Sequence, residues 1–129
     1  MTSITVETPE LDLVPVQPGP GWKVTHHRLF AASPDDADKV VVKGGKVTVW
    51  DLCFLEDLFQ ATNDSKGLLL DVGWYPHADP TGSFRLVVVP RHTDRPAGRS
   101  PFAWDSPTIE LCTRSLDEVV HKLRDVLAS

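Results

Sequence analysis

A chain of 129 residues, with 41% hydrophobic and 24% charged residues, is of ordinary single-domain size, and its composition excludes wholesale disorder. Thirteen Lys and Arg stand against eighteen Asp and Glu, a net charge of −5, and no two basic residues are adjacent. Direct nucleic-acid binding, which draws on clustered cations, is disfavoured, whereas an acidic surface suits a basic partner.

In chain order, residues 1–20 alternate only weakly (Ile4, Val6, then Leu11, Leu13) and end in Val-Gln-Pro-Gly-Pro-Gly. They are expected to form a loosely attached arm with at most a short edge strand, leaving residues 21–129 as a single domain. Trp22 to Phe30 carries β-favouring residues with partial alternation and is broken by Ser33-Pro34-Asp35-Asp36. A second short strand, Lys39 to Lys43, runs into Gly44-Gly45.

Beyond that turn, Trp50, Phe54, Leu55, Leu58 and Phe59 fall on one face of a helix. Thr48 with Asp51 resembles a capping box, and Asn63-Asp64-Ser65-Lys66-Gly67 supplies the stop. A rival reading carries the Gly-Gly turn into a hairpin strand as far as Trp50 and shortens the helix by a few residues.

Two nearly continuous apolar runs follow, Leu68–Tyr75 and Ser83–Pro90, joined by His77-Ala78-Asp79-Pro80-Thr81-Gly82. They are expected to be central strands of a hairpin, covered on both faces over part of their length. Residues 91–107 read as a long loop with three arginines and two aromatics, and Thr108–Thr113 as a further strand. The last helix starts at Ser115 with Glu118 in capping-box position, and Leu116, Val119, Val120, Leu123, Val126 and Leu127 form its apolar stripe. The order β-β-α-β-β-β-α predicts an α+β fold: a mainly antiparallel sheet of about five strands with two helices packed against it.

Sites for chemistry are scarce. No nucleophile elbow, phosphate-binding glycine loop or zinc motif is present, so neither cofactor nor metal is expected. His26 and His27 are adjacent on a strand and point to opposite faces, which prevents joint chelation. Cys53 and Cys112 are too far apart for a redox pair and are expected to be buried thiols. Asp71, His77 and Asp79 form the best catalytic candidate, although Asp79 in His-x-Asp-Pro has an ordinary meaning as a turn former. No apolar stretch approaches the roughly 20 residues of a membrane span, and the N-terminus lacks a signal-peptide pattern, so a cytoplasmic location is expected.

Residues 68–89, LLLDVGWYPHADPTGSFRLVVV, and 113–127, TRSLDEVVHKLRDVL, resemble small immunity proteins of bacterial polymorphic toxin systems, the antidotes to contact-dependent, Rhs or type VI secreted toxins. The resemblance covers under a third of the chain. It implies a protein, not an enzyme, that binds and blocks a cognate toxin, often by inserting acidic residues into a basic active site. On this reading Asp71, Trp74, Tyr75, Asp79, Trp104 and Asp105, or a subset, form the partner-binding face. Two alternatives stand beside it: a small hydrolase or transferase using Asp71, His77 and Asp79, and an adaptor or secretion chaperone.

Overall fold

The computed structural model describes residues 4–6, 12–34, 40–42, 50, 53–92 and 101–129. Strands β1 (Ile4–Val6), β2 (Trp22–His27), β3 (Val40–Val42), β4 (Phe59–Asn63), β5 (Leu68–Tyr75), β6 (Ser83–Pro90) and β7 (Ile109–Thr113) precede helix α1 (Leu116–Ala128). β1 and β3 pair in parallel, while β2-β4-β5-β6-β7 form a five-stranded sheet that is antiparallel throughout. The fold is therefore α+β. Among the described residues no helix is long and apolar enough to cross a membrane.

Strands β5 and β6 occupy the ranges expected for them and pair from Leu68↔Pro90 to Tyr75↔Ser83. Alternation sends Leu70, Val72 and Trp74 of β5, with Phe84, Leu86 and Val88 of β6, into the main core. There they meet Val119, Leu123, Val126 and Leu127 of α1, which packs against β6 and β7. Trp50, Phe54, Trp74 and Phe84 form an aromatic chain through this core, with Trp74 and Phe84 edge to face at 5.0 Å. The opposite face of the sheet carries a smaller cluster, in which Leu69, Val87 and Val89 lie under Phe102. Coverage on both sides explains why the two runs are almost unbroken in apolar residues.

The first expected helix is corrected. Helical backbone is found at Trp50 and Cys53, but Phe59–Asn63 is a strand inserted between β2 and β5. Its burial alternates residue by residue, with Phe59, Ala61 and Asn63 inward, and Leu58 N–H already donates to Val72 O at 3.0 Å. Pairing on both sides outweighs the helix preference of Gln60 and Ala61, a weak term by comparison. The helix stop is consequently a hairpin turn: Ser65 Oγ and Lys66 N–H donate to Asn63 Oδ1, and Gly67 takes φ +63°.

At α1 the cap is half as expected. Ser115 Oγ accepts from Glu118 N–H at 3.1 Å, but Ser115 N–H donates to Thr113 Oγ1 at 3.0 Å in place of the Glu118 carboxylate.

Asp12 to Pro20 of the expected arm is fastened along the domain. Val14 N–H donates to Leu29 O, Gly19 N–H to Leu127 O and Arg124 Nη2 to Pro15 O, and Val14 itself is buried. Cys53 is buried as expected, and burial pushes its thiol up to about 11 against the opposing charge of Arg28. Cys112 is exposed, because it falls on the open side of the edge strand β7.

Candidate functional site

Among the described residues, the sheet face away from α1 is only partly covered. Phe102 closes one end, over Leu69, Val87 and Val89. At the other end β5 presents Asp71, Gly73 and Tyr75, the residues alternating with its core side chains. Register then sets a cross-strand row: His26 lies opposite Gln60, Gln60 opposite Asp71, Asp71 opposite Val87, and Val87 opposite Glu110. The irregularity between Val24 and His26 brings His26 into that row, with the imidazole Nε2 bonded to Asp57 O at 3.0 Å. His27 points away and packs its ring edge on Phe59 at 5.1 Å, with Nε2 on Val14 O and Nδ1 accepting from Leu29 N–H.

Gly73 determines the shape of this end. Trp74 N–H donates to Leu55 O and Leu58 N–H to Val72 O, so Glu56 and Asp57 are passed over by the pairing. The Glu56 carbonyl fills the space a side chain at position 73 would need, 2.0 Å from where a Cβ would sit. Tyr75 Oη donates to that carbonyl at 3.3 Å, and His77 Nδ1 accepts from Glu56 N–H at 3.3 Å.

Two adjoining hollows result. One, of about 250 Å³, is lined by His26, Asp57, Phe59, Gln60 and Asp71. The other, of about 310 Å³, is lined by His26, Arg28, Leu55, Glu56, Asp57 and His77. They share His26 and Asp57.

Asp71 is the electrostatic centre of the first hollow. It is 8% exposed, and the Gln60 amide donates to its Oδ1 at 3.5 Å. Burial raises its pKa from 3.8 to about 6, and the neighbouring Asp57 charge adds to the rise, while the Gln60 bond and the Arg85 and His26 charges oppose it. Arg85 is committed elsewhere, reaching Glu110 Oε2 through Nη2 at 2.7 Å and Nε at 3.1 Å. Tyr75 is raised as well, by burial first and then by the Asp71, Glu56 and Asp57 carboxylates.

The other expected site residues are distributed differently. Trp74 is 0% exposed, so its place on a binding face is corrected: it is a core residue whose indole N–H donates to Asp79 O at 2.8 Å. Of the adjacent pair, Tyr75 is the one left near the surface. Asp79 caps its own turn, accepting from Thr81 N–H at 2.8 Å and Thr81 Oγ1 at 2.7 Å, which hold its carboxyl below the usual range. Asp71 and His77 line different hollows and Asp79 lines neither, so the three do not surround one point. Trp104 is 43% exposed and Asp105 is exposed, both just beyond the Phe102 that covers the Leu69 end of the same face.

His26, Asp57 and Gln60 were not anticipated beside Asp71. Gln60 and Asp57 fell inside the expected helix, and only strand register reveals Gln60 opposite Asp71. Among the described residues no three His, Cys, Asp or Glu side chains gather where they would hold a metal ion. Comparison with protein-family models, with curated proteins and with solved structures returns no match.

Proposed function

We propose that this chain is a binding protein that neutralises a cognate secreted protein toxin in the cytoplasm, presenting the open face of its sheet to a basic surface of that toxin. The observation that carries the reading is the hollow at Asp71, where a buried carboxyl and Asp57 face outward with no ion pair to either among the described residues. Buried charge is ordinarily paired, so an unpaired carboxylate at a concave surface favours a cationic partner. Tyr75 beside it, and the exposed Trp104 and Asp105 that follow Phe102 in the chain, add the aromatic and acidic character common in binding surfaces. The net charge of −5 acts in the same direction, through faster association with a basic protein.

The enzymatic alternative loses its support from geometry, because general acid–base work by Asp71, His77 and Asp79 needs them around one substrate. Co-expression with the product of the neighbouring gene tests the proposal. The expected result is a co-purifying complex and rescue of growth from the toxin. Neither complex nor rescue would overturn it.

A further inference from the structure

We infer that the hollow floored by Asp71 is a receptor for a single arginine side chain of the partner, with the guanidinium lying between Asp71, Gln60 and Asp57. The inference rests on the binding reading above and specifies its chemistry. Asp71 is more than nine-tenths buried and lines the hollow, yet among the described residues it makes no ion pair, its one hydrogen bond being the long contact from Gln60. The nearest cation on its own sheet, Arg85, is held by Glu110 in a two-donor contact. Among the described residues, then, no cation pairs with this buried carboxylate, and a counter-ion from outside would stabilise it.

Size and donor pattern select the occupant. At about 250 Å³ the hollow, adjoined by the second of about 310 Å³, has room for one long side chain with its stem crossing the shared rim at His26 and Asp57. The acceptors, two Asp71 oxygens and the Asp57 carboxylate, suit a planar fork of donors better than a point charge, while Gln60, whose Oε1 accepts from Thr25 Oγ1 and whose amide donates to Asp71, flanks the hollow. Guanidinium is also more weakly hydrated than ammonium, which lowers the cost of entering a site this buried. His26 from β2, Gln60 from β4, Tyr75 on the same strand, Arg85 from β6 and Asp57 are the polar groups around Asp71. Of these only Arg85, held by Glu110, and a protonated His26 set like charge against the entering cation.

The probe is N-acetyl-L-arginine N-methylamide, titrated into the full chain and followed by two-dimensional NMR at the Gln60 side-chain amide and the Asp71 carboxyl carbon. Saturable shifts at both are expected. The citrulline analogue, of the same shape but uncharged, should give none, and the lysine analogue should bind at least threefold more weakly. Asp71→Asn should reduce arginine affinity at least tenfold while retaining the parent spectrum elsewhere. Lowering the pH from 7.5 to 5.5 should weaken binding as the carboxyl gains its proton. Equal response to citrulline, an unchanged affinity in Asp71→Asn, or no saturable shift would each overturn the inference. Capture of the neighbouring gene product is measured separately. A complex that forms while the hollow ignores arginine defeats only the inference, and an arginine-filled hollow without a protein partner defeats only the binding reading.

Discussion

Asp71 destabilises the fold once ionised, and under the proposed function the same carboxylate serves recognition. In the folded chain its carboxyl titrates near 6, against 3.8 ordinarily. Between these values the unfolded chain has released its proton and the folded chain still holds it, so stability falls as pH rises through the window. Asp71→Asn removes that penalty. Urea denaturation should find the variant equal to the parent near pH 3.5 and more stable by about 1–3 kcal/mol at pH 7.5. A parent as stable as the variant at pH 7.5 would show that Asp71 is already compensated. Gly73 is the second decisive residue. Gly73→Ala sets a methyl against the Glu56 carbonyl, which is backbone and cannot turn aside, so a loss of about 2–4 kcal/mol is expected in the same assay. Neither role was legible in the local sequence. Gly73 reads as an ordinary strand glycine until Glu56 is known to lie over it. Trp74 and Tyr75 are bound to face opposite ways, but the sequence does not say which one enters the core.

Elements were more legible where their signals were local. The hairpin strands β5 and β6 announce themselves through long apolar runs with a polar turn between them, and both have the limits expected. α1 does so through its N-cap and 3.6-residue stripe. Ser115→Ala should cost about 1 kcal/mol in thermal or urea unfolding, since it orphans Glu118 N–H. Thr113→Ala should add to that loss, because Thr113 Oγ1 supplies the second cap bond that a glutamate side chain normally provides. β4 was hidden for the opposite reason. FQATN contains no β-branched residue except Thr62, and its strand state depends on two neighbours distant in sequence, β2 and β5. Tertiary pairing decided what propensity could not. With β4 misassigned, the row from His26 through Gln60 to Asp71 had no means of being seen.

At the scale of the molecule the sheet has two faces of different character. One is closed by α1 and by the aromatic chain from Trp50 to Phe84, and provides most of the buried apolar surface. Among the described residues, the other is covered at its Phe102 end and carries the polar, acid-rich hollows at its other end. The segment from Asp12 to Pro20 ties β2 and the end of α1 together on the first side and leaves the hollows clear. Charge balance and the absence of catalytic motifs were readable from composition and pattern alone. The location of the acidic surface was not, since it depends on which side of each strand faces the helix. If the open face is the recognition surface, association should quicken at low salt, and the partner should contact residues of β2, β4 and β5 and spare α1.

The most direct test is calorimetric titration of the neighbouring gene product into the parent chain, Asp71→Asn, and Asp125→Asn as a charge-matched control on α1, where Asp125 is exposed. The account predicts that Asp71→Asn weakens the complex by about tenfold or more, equivalent to about 1.4 kcal/mol, while Asp125→Asn leaves it within about twofold of the parent. Equal affinities for the parent and Asp71→Asn, or a larger loss from the helix variant, would contradict it.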